Sequence, residues 1–159
     1  MAPRVLYSVI HGTATPLPYL TSRTTISSAI LHGYCRRRVH GADFPAIIPA
    51  SGFSVRGTYV RGLSEIDFAR LDAFEGCMYT LETVDVRILD DVSSTTDSEA
   101  GEGGDEANVL KPIDDDTVSK LEGPVKRTRT YVWCLNHSEL EDQDWDFDDF
   151  VKTKMRYWT

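Results

Sequence analysis

Leu71-Asp72-Ala73-Phe74-Glu75-Gly76-Cys77-Met78-Tyr79 is the stretch whose reading decides the fold. It begins as a helix and ends as the first residue of a strand. Upstream, Ser64-Glu65-Ile66-Asp67 opens the helix: Ser64 is a favoured N-cap, and acidic residues fill the first turn, where the helix dipole favours them. Phe68, Leu71 and Phe74 follow at i, i+3 and i+6, which predicts one apolar face. Gly76 is placed to cap the C-terminus. Glu75 is then the last helical residue, close to the negative end of the dipole. A solvated glutamate gains nothing there, and on residue type alone that plain surface role is the favoured one. A glutamate aimed into a cleft would instead have its pKa raised, which suits proton transfer near neutral pH.

Downstream, Tyr79 to Leu89 reads as a strand, with Leu81/Thr83/Asp85/Arg87 alternating against Val84/Val86/Ile88. Tyr79 either donates a hydrogen bond to a ligand or packs with its hydroxyl at the surface. Upstream of the helix, Ala29–Val39, Ala46–Pro49 and Phe53–Val60 read as strands separated by turns at 41–45 and at Ser51-Gly52. Val5 to Ile10 reads as a buried strand running into His11-Gly12-Thr13-Ala14, where successive backbone N–H groups could form an anion nest. Residues 14–28 read as loop with one helical turn. Thr128–Leu135 reads as a further strand, and Trp145-Asp146-Phe147-Asp148-Asp149-Phe150 leads into a short helix that covers the body. Strands, one helix, strands and a short helix predict an α+β domain around a small curled mixed or antiparallel sheet, barrel-like and flanked by a few helices.

The chain has 159 residues, enough for one domain with its own core. The net charge is −8, but residues 89–125 carry eleven acidic side chains and two lysines, so the rest of the chain is near neutral. That segment, at about 90–125, is rich in Asp, Glu, Ser, Thr and Gly and is expected to be a flexible insertion in an otherwise single domain spanning 1–159. Arg36-Arg37-Arg38 is the one basic cluster and is expected to be solvated, so no nucleic-acid partner is expected. No apolar run is long enough to span a bilayer and no secretory leader is evident, so a cytoplasmic address and no membrane partner are expected. Cys35, Cys77 and Cys134 are scattered, with no CxxC pair and no zinc spacing, so neither a disulfide framework nor a metal is expected. His32, His40 and His137 read as surface histidines.

Together the blocks Ala29-Ile30-Leu31-His32-Gly33-Tyr34-Cys35-Arg36-Arg37-Arg38-Val39-His40-Gly41, Phe44-Pro45-Ala46-Ile47-Ile48-Pro49, Val55-Arg56-Gly57 and Leu71 to Tyr79 resemble the γ-glutamylcyclotransferase-like family. The branch they look like contains the plant avirulence-induced proteins and their fungal relatives. Tyr131-Val132-Trp133 and Trp145-Asp146-Phe147 are similar to the same branch. The resemblance implies that Glu75 occupies the catalytic glutamate position. It also implies that His11-Gly12-Thr13-Ala14 occupies the family's Tyr-Gly-Thr-Leu loop, whose amides hold a substrate carboxylate. The implied reaction releases 5-oxoproline from a γ-glutamyl amine or peptide by intramolecular aminolysis, without a cofactor. His11 in place of the loop tyrosine would add a second acid/base group facing Glu75. Two other functions share these residues. One is acid/base chemistry by His11 and Glu75 on a different small metabolite. The other is a non-catalytic binding protein that uses the acidic segment.

Overall fold

The computed structural model describes residues 1–89 and 122–159. In chain order it contains helix α1 (Pro3–His11), one turn α2 (Pro18–Thr21), strands β1 (Thr25–Arg38) and β2 (Pro45–Arg61), helix α3 (Glu65–Glu75), strands β3 (Tyr79–Leu89) and β4 (Glu122–Trp133), and the turn α4 (Phe147–Asp149). The last helix continues as a wider π turn over Phe150–Lys154 and a tighter 3-10 turn over Met155–Tyr157. All strand pairs are antiparallel, in the order β2-β1-β3-β4. The outer strands β2 and β4 come into contact without forming a ladder. The sheet is therefore curled and open, as an α+β fold of this kind allows, rather than a closed barrel.

The first element departs from its expected form. Val5 to Ile10 is helical, not a strand. Six mostly apolar residues fit either period, and what decides is the punctuation around them. Pro3 stands in the first turn, where its fixed φ suits a helix. Gly12 follows the last residue at φ 71°, and its N–H bonds the Ser8 carbonyl at 2.9 Å. A left-handed residue at that place is what ends a helix. Val5, Leu6 and Ile10 form the buried stripe, and Ile10 is completely enclosed. Leu6 and Ile10 pack on Leu71, so α1 lies along α3. Arg70 also donates to the Ile10 carbonyl.

The two apolar stretches expected on either side of Ser51-Gly52 are a single strand, β2. The turn residues form a bulge instead. His32 pairs with Ser54 and Tyr34 with Pro49, so residues 50–53 are looped out opposite Gly33. Gly33 and Gly52 both take positive φ there, at 78° and 83°. A bulge of this kind bends a strand and sharpens its twist.

β4 starts at Glu122, six residues before its expected start, and pairs with β3 from Leu89↔Glu122 to Tyr79↔Trp133. Residues 122–125 thus belong to the sheet. Residues 90–121 of the acidic segment lie outside the described residues. After β4 the chain returns to β1: Glu141 donates its N–H to the Arg38 carbonyl at 2.8 Å, and Val39 bridges Leu140. Trp145 then donates Nε1–H to the Asp43 carbonyl at 3.0 Å. These bonds bring Trp145, Phe147 and Phe150 across Ala2 and Val5 at the start of α1.

Candidate active site

α3 is fixed at its start by a reciprocal cap. Ser64 donates its backbone N–H and its hydroxyl to Asp67 Oδ2 at 2.8 and 2.7 Å, and Asp67 N–H returns a bond to Ser64 Oγ at 3.3 Å. The inward stripe of the helix differs from the expected one. Asp67 and Leu71 are buried, Phe68 and Glu75 are half-buried, and Phe74 is 41% exposed. Asp67, Leu71 and Glu75 are spaced by four, so they line one face. The expected stripe at 68, 71 and 74 is centred on the same residue, Leu71, with Phe68 and Phe74 on its two flanks and both at the cavity edge.

Glu75 therefore faces inward, onto a cavity of about 640 Å³ on the inner side of the curled sheet. The cavity is bounded by the inner faces of all four strands, by α3, by Met1 and Ala2 before α1, and by the C-terminal aromatic segment. Its lining is mostly apolar, with Arg36, Glu75, Tyr79 and Tyr131 among the polar side chains. Burial raises the Glu75 carboxyl above its ordinary value, and the positive charge of the amino terminus only partly opposes this. The Met1 amine is itself lowered to about 6, first by burial and then by the charge of Arg36, while Glu75 pulls it up. Arg36, Glu75 and Met1 all line the cavity.

Tyr79 lines the same cavity, but its hydroxyl is engaged: it donates to the Pro45 carbonyl at 2.9 Å, and its ring meets Trp133 edge-on at 5.4 Å. Burial and the neighbouring Glu75 charge raise its pKa further. It remains a neutral wall residue that ties β3 to the start of β2.

Glu75 and Tyr79 are the two expected site residues that the fold brings together. His11, Gly12, Thr13 and Ala14 do not line the cavity. Gly12 is the cap of α1, so no strand-end nest forms at these residues. His11 ends α1, stacks on Tyr7 at 6.0 Å between centroids, and its charge acts on Asp67. Asp67 precedes Glu75 by eight residues, about 12 Å along a helix at 1.5 Å per residue. His11 and Glu75 consequently mark opposite ends of α3.

Arg36 was expected in solvent and instead lines the cavity. Its Nη2 donates to the Arg56 carbonyl at 2.6 Å, and its guanidinium lies 5.7 Å from the centre of the Trp145 ring. Loss of water lowers its pKa, and the Asp144 charge opposes that only in part. The available signal was strand alternation: in β1, Arg36 and Arg38 share a face opposite Cys35 and Arg37. A run of three arginines cannot be equally solvated on a sheet that buries one side. The C-terminal aromatics, expected as cover, both cover the start of α1 and wall the cavity. His32 is also better connected than expected, with Nδ1 2.7 Å from Ser54 Oγ and Nε2 2.8 Å from Glu122 Oε1. Among the described residues no group of His, Cys, Asp or Glu is arranged to hold a metal, and no helix is long and apolar enough to cross a membrane.

Residues 11–147 match the family described as "Gamma-glutamyl cyclotransferase, AIG2-like". Among curated proteins, Protein AIG2 C of Arabidopsis thaliana is 29% identical over 168 residues, covering 99% of this chain and 77% of that protein. AIG2-like protein C of the same plant is 35% identical over 123 residues, covering 77% of this chain and 54% of its own length. This chain therefore spans three quarters of the first relative and about half of the second. A solution structure of an Arabidopsis thaliana protein superposes with a TM-score of 0.55 at 19% identity, over 99% of this chain and 71% of that one, and shares the fold. With the matched region running from the end of α1 through β4 to α4, the chain belongs to the AIG2-like γ-glutamylcyclotransferase family.

Proposed function

We propose that this protein is a cyclotransferase that releases 5-oxoproline from a γ-glutamyl amine or peptide, with Glu75 as its acid/base group. The observation that carries this reading is the placement of Glu75: a carboxyl raised by burial, at the end of a capped helix, on the wall of a largely apolar cavity. In the reaction the substrate's α-amine attacks its own γ-carbonyl carbon. A carbon–nitrogen bond forms and closes the five-membered ring. Glu75 takes the proton that the attacking nitrogen loses and gives it to the departing nitrogen, whose bond to the carbonyl carbon breaks. Water is not consumed, and no electrons leave the substrate. A cavity that holds the γ-glutamyl chain folded lowers the entropic barrier to ring closure. A carboxyl with a raised pKa is suited to both steps, because it takes up and returns a proton more readily than an ordinary glutamate.

The version of the chemistry in which His11 assists Glu75 is not favoured, since the two residues lie at opposite ends of α3. The test is 5-oxoproline release from a panel of γ-glutamyl amines and peptides. Glu75→Gln is expected to lower kcat by about 10²- to 10⁴-fold, the usual contribution of a positioned acid/base group. His11→Ala is expected to have little effect on the pH profile. Full activity in Glu75→Gln, or no 5-oxoproline from any member of the panel, would rule the reading out.

A further inference from the structure

We infer that the cavity is built for γ-glutamyl conjugates of a bulky apolar amine, with the substrate's α-carboxylate held by Arg36 and the amine's apolar body laid against Phe74, Trp145 and Trp158. This rests on the cyclotransferase reading and adds to it the substrate class and the anchoring residue.

The anchor follows from charge accounting. Of the arginines on this mostly apolar wall, Arg127 is paired with Asp85 and Arg129 lies over the Phe68 ring, whereas Arg36 is half-buried. Among the described residues no carboxylate lies within ion-pair distance of it. Its neighbour Asp144 is taken by Arg37, at 3.7 Å. One backbone acceptor, the Arg56 carbonyl, uses one of five N–H donors. A partly desolvated guanidinium with donors to spare gains when an anion completes it. The planar fork fits a carboxylate with two parallel bonds. The position also suits the chemistry: Arg36 and Glu75 both line the one cavity. In a γ-glutamyl group the carboxylate and the reacting amine are on the same carbon. Fixing the first on Arg36 therefore brings the second toward Glu75.

The class of amine follows from size and lining. A volume of about 640 Å³ suits a ligand well beyond an amino-acid head group, since drug-sized ligands occupy pockets of roughly 300–1,000 Å³. Trp158 stands at the centre of an aromatic cluster. Its ring meets Phe44 at 5.9 Å, Phe74 at 6.0 Å and Phe150 at 6.3 Å, all edge-on. Trp145 packs on Phe150 at 5.0 Å, and the Arg36 guanidinium lies 5.7 Å from its ring centre. Phe74, Trp145 and Trp158 line the same cavity as Glu75, and Phe74 is part-exposed, so the cluster forms its aromatic side. A leaving amine emerging past Glu75 meets aromatic edges, which favour apolar and aromatic bodies.

The experiment compares kcat/KM for γ-glutamyl benzylamide and γ-glutamyl methylamide, each also prepared with an α-carboxamide in place of the α-carboxylate. In the wild type the carboxamide is expected to be poorer by about 10- to 100-fold, the range of a charge-assisted hydrogen bond. Arg36→Met is expected to remove most of that difference, chiefly through KM, with Glu75 still working. Arg36→Lys serves where the methionine variant fails to fold, and should keep the charge preference but bind more weakly. Trp158→Ala is expected to lower the benzylamide-to-methylamide ratio by about 10-fold, in line with one large apolar contact. Intrinsic reactivity differences cancel because each ratio is compared between wild type and variant. Release of 5-oxoproline with no carboxylate preference, or with a size ratio that Trp158→Ala leaves unchanged, overturns this inference while the cyclotransferase reading stands. Failure of every substrate overturns both.

Discussion

Tyr131 donates its hydroxyl to Asp72 Oδ1 at 2.6 Å, which ties β4 to α3 one turn before Glu75. The bond crosses from the sheet edge to the helix that carries Glu75. Tyr131→Phe removes the donor and leaves the ring in place. A hydrogen bond to a charged acceptor contributes about 1.5–3 kcal/mol when well buried, and part-exposure brings the expected loss nearer ~1 kcal/mol. Asp72→Asn should cost a similar amount. The double variant should cost little more than either single one, giving a coupling of about 1 kcal/mol from denaturant midpoints at constant m. Additive losses would show that the bond does not hold the two elements together.

The cap at the start of α3 is the second element that fixes the site. Burial pushes the Asp67 carboxyl up, but bonds from the Ser64 backbone and hydroxyl, with the charges of Arg23 and His11, more than offset this and hold it low. Its stabilising contribution is present above the unfolded-state pKa and is lost as pH falls through the depressed folded value. Ser64→Ala should cost about 1 kcal/mol at neutral pH. The gap between wild type and Ser64→Ala should narrow in acid, as measured by chemical denaturation across pH 2–7. A gap that is constant with pH would mean that the hydroxyl acts only on the backbone.

The helix bearing Glu75 and the strand that follows it were readable from Ser64 to Leu89, because cap, dipole and alternation agree there, and the family from Leu71 to Tyr79 taken together with the blocks before it. Val5 to Ile10 was not, because a short apolar run has no distinct period, and its helix is recognised only from Pro3 and Gly12 on either side. Read as a strand, that run would carry His11 toward a cavity whose lining it does not join. Arg36 was missed for a different reason. Whether a strand arginine is solvated depends on which face of the sheet is covered, and that is set by the C-terminal aromatics some hundred residues later. The bulge opposite Gly33 was hidden because Ser51-Gly52 has the composition of a turn, and only pairing with β1 shows the strand running on.

Gly62, between β2 and α3, offers a prediction independent of the site. It takes φ 85°, and a Cβ there would lie 1.8 Å from the Arg23 carbonyl oxygen. Gly62→Ala therefore meets both a left-handed backbone and a collision with main chain that cannot swing aside. The expected loss exceeds about 1 kcal/mol, the upper end of what a tolerated Gly→Ala exchange would gain. Gly57→Ala, in β2 with no atom near its would-be Cβ and no positive φ, is the comparison. It should change the melting temperature little. Equal effects at the two positions would refute the close-approach argument.

Glu75 ties function to stability through pH. Its carboxyl is raised above 4.5 in the folded protein, first by burial. Between the unfolded-state value and the raised folded value the folded state holds the proton more firmly than the unfolded chain. Stability must then fall as pH rises through that window, because the native state binds more protons there. Glutamine resembles the protonated acid and does not titrate. Glu75→Gln should thus be more stable than wild type at pH 7 to 8, with the difference shrinking toward pH 4, while 5-oxoproline release is lost. In the wild type, kcat/KM should rise with pH through an ionisation above the ordinary glutamate range, and His11→Ala should leave that limb in place. Thermal melts of both proteins across pH 4–8, read beside the pH–rate profile, check the two halves together. A Glu75→Gln variant less stable than wild type at neutral pH would mean that the carboxylate is stabilised where it stands, and a stabilised carboxylate is a poor proton acceptor.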